Sequence, residues 1–326
     1  MLASGPAPCG AASHKMMTAR ITGGLSRFSS DENGTVPLPR LLLLIATLTV
    51  CSWLGSSAVA ATSDGARSNP FEASTSNAAR RDAIRAMPLE KLDAQDKARV
   101  ESVLADVSIF RRMPVKVVDC DPDLYLFLVR HPDVVVNMWE VLKVSKLQLR
   151  QTGPAHFQIA EASGTTADLE ILYSSPDTHL IYGEGTYRGP LLARPVKGRG
   201  VLLLKSGYVR ETDGRYYVTS RLDSFVAIEP GAVELITKAA HPLFGKTADN
   251  NFSQTVAFLG ALSRTIEINN RGAQRLATQL LRVQPEVRDR FAELAAGIAA
   301  RAATAAARQK TARADVANRP DGKKQR

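Results

Sequence analysis

The sequence predicts an α+β protein: an antiparallel sheet of six or seven strands, two short helices after the first strand, and a long helix toward the C-terminus, with extra helices at both ends. Three observations carry this. Between Lys146 and Glu229, short segments of alternating apolar and polar residues follow one another with turn residues between them, the pattern of an antiparallel meander. Two Asp/His-Pro-Asp runs, at Asp121-Pro122-Asp123 and His131-Pro132-Asp133, precede apolar stretches too short for long helices. Finally, Phe252, Val256, Leu259, Leu262 and Ile266 recur at helical spacing over Asn250 to Ile268.

Six strands are expected in the meander: 147–151, 157–162, 168–174, 178–188, 200–211 and 216–229. Gly153-Pro154, Gly164, Ser175-Pro176-Asp177, Gly189-Pro190 and Asp213-Gly214 separate them, each with turn chemistry. Asp213-Gly214 is the strongest signal, because both positions tolerate positive φ and so favour a tight hairpin.

Ahead of the meander, Val115, Val117 and Val118 mark a first strand over 113–120. Asp121 is a helix cap with Pro122 at the first helical position. His131 and Pro132 end that helix and start a second with Val134, Val135, Met138, Trp139, Val141 and Leu142 on its stripe. Residues 80–107 read as one or two amphipathic helices broken at Pro88. After the sheet, 232–240 reads as a short helix interrupted at His241-Pro242. Residues 276–283 continue helically beyond the long helix, and 291–313 is Ala-rich, with few large apolar residues to pack. In the last strand Tyr216, Val218, Leu222, Val226 and Ile228 share a face with Ser220 and Ser224, while Thr219, Arg221, Asp223 and Glu229 take the other, which is expected to be wet.

Composition bounds the functional classes. With 326 residues, 44% hydrophobic and 23% charged, the chain holds enough apolar material for a core. The formal charge of +10 is concentrated at the ends: residues 301–326 hold eight Lys or Arg against two Asp. The body is near neutral, so nucleic acid is not an expected partner. Residues 41–61 carry no charge and end in Ala58-Val59-Ala60, the small-x-small spacing of a signal peptidase site. Export to the periplasm or outside the cell is expected, with membrane anchoring as the alternative if the run is not cleaved. Cleavage would leave Cys120 as the lone thiol, so no internal disulfide is expected. The organisation follows: 1–61 an export signal or membrane anchor, 62–79 a flexible linker, 80–110 a helical lead-in, 111–284 the folded domain with a helical extension, and 285–326 an Ala-rich helix with a basic disordered tail. The oligomeric state is not legible.

No Gly-x-Ser-x-Gly, His-Glu-x-x-His, phosphate loop or Cys-x-x-Cys is present, and Gly183-Glu184-Gly185 lies inside a strand pattern with no helix after it. No catalytic residue, metal or cofactor is expected. His131 and His241 precede prolines at helix boundaries, and His156 and His179 flank strand starts, so all four are read as punctuation.

Strand, two short helices, six strands and a long helix form an order that resembles the START-like or helix-grip superfamily, the birch-allergen-like fold, over about Met113 to Ile268. The resemblance implies a curved sheet wrapped on the closing helix with an apolar cavity between them. It further implies an apolar or lipid-like small molecule as partner, bound without catalysis. Gly183 and Gly185, on the side of their strand that holds Ile181 and Tyr187, either leave volume for a ligand or mark a bend. With Tyr216, Ser220 and Ser224, and with Trp139 and Phe252 as core residues able to serve as walls, they are the candidate ligand contacts. Two other classes stay open: an enzyme of cyclase or hydrolase type on the same fold, and a structural envelope protein with a solid core.

Overall fold

Ser76 accepts a hydrogen bond from the Ala79 amide and so caps the first helix. The structure is a computed structural model that describes residues 69–161, 164–188, 194–229 and 243–317. The export segment, the short helix expected over 232–240 and the C-terminal basic residues lie outside the described residues. Helix α1 (Asn77–Arg85) is followed by a 3-10 turn (Leu89–Lys91) and α2 (Ala94–Ala105), which Asp93 caps through the Asp96 amide. The break falls at Pro88, as the sequence implied.

The expected first strand is realised only in its second half, as β2 (Lys116–Asp119), and a further strand, β1 (Ile109–Arg112), precedes it outside the expected bounds. Pro114, which has no N–H to give to a ladder, lies in the gap. Asp121 then accepts from the amides of Asp123 and Leu124, opening α3 (Pro122–Arg130), and α4 (Pro132–Val141) follows without a residue between except His131. The meander supplies β3 (Gln148–Gly153), β4 (His156–Glu161), β5 (Thr165–Ser174), β6 (Thr178–Tyr187), β7 (Val196–Arg210) and β8 (Tyr216–Ile228). Gly214, at φ +86°, turns the β7–β8 hairpin as Asp213-Gly214 predicted. Helices α5 (Leu243–Ile268), α6 (Asn270–Gln279) and α7 (Pro285–Ala317) complete the described chain.

All eight strands form one antiparallel sheet in the order β1–β8–β7–β6–β5–β4–β3, with β2 beside β1 on the same edge of β8. Helix α5 lies on its inner face. Phe252 and Val256 pack with Met113, Leu202 and Leu222, while Leu259, Leu262 and Ile266 join α3 and α4 in a second part of the core. Helix α4 is buried from Asp133 to Trp139 and packs on β3, while α7 packs on α3 and α5 and, with α6, brings Ala273, Ala277, Phe291 and Ile298 into the same core. The first half of α7 therefore contributes to the core, although its composition suggested little packing: its alanines let neighbouring helices come close around a few large side chains. From Ala303 to Thr311 the helix is exposed.

The outward face of β8 is not wet. Helices α1 and α2 cover it, with Ala83, Met87, Val100 and Val103 against Phe110, Leu180, Tyr182, Val201, Leu203 and Phe225. Asp223 is completely buried there and accepts from Arg112 Nε at 2.6 Å, with Arg221 Nε 3.4 Å away. The alternation along β8 hid this, because Phe225 and Ala227 give the same face an apolar end. Glu184 and Arg188 are exposed, as alternation implied. The C-terminal part of the expected linker reaches the sheet: Ser74 pairs with Arg112 at the β1 edge through backbone bonds of 3.0 and 2.8 Å. No helix among the described residues is long and apolar enough to cross a membrane.

Candidate functional site

The nine residues expected to contact a ligand do not form one lining. Ile181 and Phe252 meet in the apolar cluster under α5. Trp139 is buried in the neighbouring cluster, edge-on to Phe258 with ring centroids 5.9 Å apart. Ser220 is taken up by Tyr125, whose hydroxyl lies 2.8 Å from Ser220 Oγ and 2.9 Å from Ser206 Oγ, tying α3 to β7 and β8. Ser224 is buried on the inner face of β8, opposite Leu202. Gly183 is buried between Leu169 and Gly200. At Gly185 a Cβ would lie 2.6 Å from the Ala167 Cβ, so this glycine serves close strand approach and not spare volume. Tyr187 is half-buried at the end of β6, and Tyr216 is exposed beneath the Arg210 guanidinium.

Unmet hydrogen bonding lies elsewhere, at the joint between α3 and α4. A hollow of about 330 Å³ is lined there by Arg130, His131, Gln151, Ala155, Ile171 and Ser174. Each comes from a definable local cause. Arg130 is the last residue of α3 and His131 the joint itself; its amide closes α3 on the Phe127 carbonyl at 2.9 Å. Its ring makes no capping bond to α4, so Nδ1 is buried with no hydrogen-bond partner among the described residues. Gln151 and Ala155 flank the β3–β4 turn, where Ala155 takes φ +60°, and Gln151 Oε1 is likewise buried without a partner.

Ile171 and Ser174 reach the hollow because of a bulge. The β5–β6 register shifts between Ile171 and Tyr173, so that Ile171 faces Ile181 and Ser174 faces His179. The extra residue puts Ile171 and Ser174, three apart, on the inner face together, while Leu172 and Tyr173 both turn outward. Ser174 Oγ accepts from Arg130 Nε at 3.0 Å.

The surroundings are electrostatically unusual. His179, next to Ser174 across the strands, is fully buried with both ring nitrogens unpartnered among the described residues. Burial, and then the charge of Arg130, lowers its pKa to about 4. His131 is lowered by the same two causes in the same order. Both imidazoles are neutral near pH 7. Two residues on, the Asp133 carboxyl is buried and pushed up to about 6 by desolvation, with a partial offset from the amides of Asp133 and Val134. Among the described residues, no three His, Cys, Asp or Glu side chains come together as metal ligands. Cys120 is buried and its thiol is pushed up to about 12, which makes it inert.

A larger hollow, about 780 Å³, opens on the outer face beyond the end of α2. Its charged groups already satisfy one another: Arg199 reaches Asp106 at 3.3 Å, Tyr182 donates to Glu184 at 3.2 Å, and Gln158 donates to Asp168 at 3.3 Å. Size favours that hollow. Unsatisfied polar atoms favour the smaller one, and because a buried polar group without a partner costs about 1–3 kcal/mol, they make it the better candidate site.

Sequence reasoning missed this lining. His131-Pro132 was legible as a joint, but an uncapped ring and a bulge are set by tertiary contacts that leave no local pattern.

Fold and hollow together define an α+β protein whose curved sheet holds a helix, with a polar pocket at its helical joint. No protein-family model matches the chain, and no curated protein sequence matches it. Among solved structures, it is similar to the hypothetical protein jhp0584 from Helicobacter pylori, at 14% identity and a TM-score of 0.29, over 46% of this chain and 84% of that one. It is also similar to the di-domain ARO/CYC StfQ from the steffimycin biosynthetic pathway, at 16% identity and a TM-score of 0.24. That match covers 62% of this chain and 56% of StfQ, so the chain spans about half of that protein's length. Likenesses of this size say nothing about what this chain binds.

Proposed function

We propose that the protein binds a small molecule with an apolar body in the hollow at the α3–α4 joint, without transforming it. The observation that carries this is the pairing of an apolar wall, Ile171 and Ala155, with two buried polar atoms, His131 Nδ1 and Gln151 Oε1, whose hydrogen bonds are unmet. Fixed polar groups beside an apolar wall orient a ligand while burial of its apolar part supplies affinity. This site lies apart from the expected position under α5, where Ile181 and Phe252 belong to an apolar cluster. At about 330 Å³ it sits at the small end of ligand pockets, a match for a short chain and not a whole lipid.

An enzyme on this scaffold would need an acid–base pair facing the hollow. Its titratable lining is Arg130 and His131, and a guanidinium stays protonated at any working pH. Asp133 does not line it. Binding without turnover is the reading these groups support. Native mass spectrometry of the purified full chain tests it: a co-purifying mass of small-molecule size, released by organic solvent, is the expected result. A clean apo mass, with no thermal shift across neutral, acidic and basic eight-carbon compounds, would overturn the proposal.

A further inference from the structure

One cation, Arg130, lines the hollow. Arg130 is exposed at the rim, donates Nε to Ser174, and makes no ion pair among the described residues. The carboxylate nearest to Ser174 in sequence, Asp177, is engaged elsewhere: its oxygens accept from Ser175 at 2.7 Å and from Lys205 at 3.1 Å. The terminal nitrogens of the Arg130 guanidinium therefore remain available beside the hollow. Ser174 accepts from Arg130 and so has its own proton to donate. Two kinds of donor thus converge on one end of the hollow, while Ile171 and Ala155 form its apolar wall.

We infer that the ligand is a short-chain carboxylic acid, bound as its anion, with the carboxylate on Arg130 and Ser174 and the chain along Ile171 and Ala155. This rests on the hollow being the binding site, as proposed above. A planar guanidinium matches the two oxygens of a carboxylate in a way that a point charge does not. The hydrogen-bonding capacity of His131 Nδ1 and Gln151 Oε1 is left for a hydroxyl further along the chain, whose proton the amide oxygen can accept. Octanoate, a short acid with an unbranched apolar chain, serves as the probe.

The test compares octanoate, octanol and octylamine at pH 7.5, below their micellar concentrations, by ligand-observed NMR with the full chain and its Arg130→Gln variant. Arg130 is exposed and its one described bond is to Ser174, so an unchanged melting temperature of the variant is expected and is checked first. Octanoate should bind more tightly than octanol, and Arg130→Gln should weaken octanoate by about ten-fold or more, as for a lost charge-assisted hydrogen bond, with octanol unaffected. Equal binding of octanoate and octanol, insensitivity of octanoate to Arg130→Gln, or preference for octylamine would overturn the carboxylate assignment while leaving the site in place. If none of the three binds, the site itself is wrong.

Discussion

Asp133 and His179 are both buried, and they tilt the acid response of the molecule in opposite directions. Burial holds the Asp133 carboxyl at about 6, so the folded chain binds more protons than the unfolded one between about pH 4 and 6, and stability falls as pH rises through that window. For His179, held at about 4 by burial and by Arg130, the unfolded chain binds more protons between about pH 4 and 6.5, so stability falls as pH drops through that range. Each effect is worth about 3 kcal/mol, and over much of the range they cancel. Single variants should separate them. Asp133→Asn is expected to stabilise the protein by about 3 kcal/mol at pH 7.5 and hardly at all at pH 4. His179→Leu should show the reverse slope, its benefit growing toward pH 4. Urea unfolding at four pH values between 4 and 7.5 measures both, and parallel pH profiles for wild type and variants would refute the assignment.

At the scale of the elements, what could be read in advance is what is locally encoded. Asp121 and Pro122 set the start of α3, Asp213-Gly214 set the last hairpin, and the period-2 runs set strands β3 to β8 to within a few residues. What could not be read depends on partners distant in sequence: the break at Pro114, the cover of α1 and α2 over Phe225, and the β5 bulge that aims Ser174. The seat of α5 on β2 is another such feature. A Cβ at Gly260 would lie 3.0 Å from the Val118 Cβ and 3.3 Å from the Asp119 carbonyl oxygen. Gly260→Ala should be near neutral, because the tight contact offsets the gain of about 1 kcal/mol in helix propensity. Gly260→Leu should cost about 2 kcal/mol through overpacking, read as a drop in the urea midpoint at constant slope. The candidate site was still less legible, because none of its six lining residues stands in a motif.

For the whole molecule, export remains a proposal drawn from residues 41–61 and Ala58-Val59-Ala60. Expressed at full length in a bacterial host, the protein should be recovered either outside the cytoplasm with its N-terminus just after Ala60, or in the membrane fraction with the segment intact. Soluble cytoplasmic protein that retains residues 41–61 would count against both forms. Within the folded body Arg112 links Asp223 of the sheet to Asp82 of α1, and Tyr125 joins α3 to β7 and β8.

The corner at His131-Pro132 carries a mechanical implication. One leg of that corner, α4, packs on β3, and the wall opposite is formed by Gln151 and Ala155 at the β3–β4 turn with Ile171 and Ser174 of β5. A guest wedged into the corner would act as a strut between the elbow of two helices and the margin of the ribbon that ends at β3. Occupancy would then be transmitted as rigidity of that margin, well away from the hydroxyl tie of Tyr125 and the seat of α5.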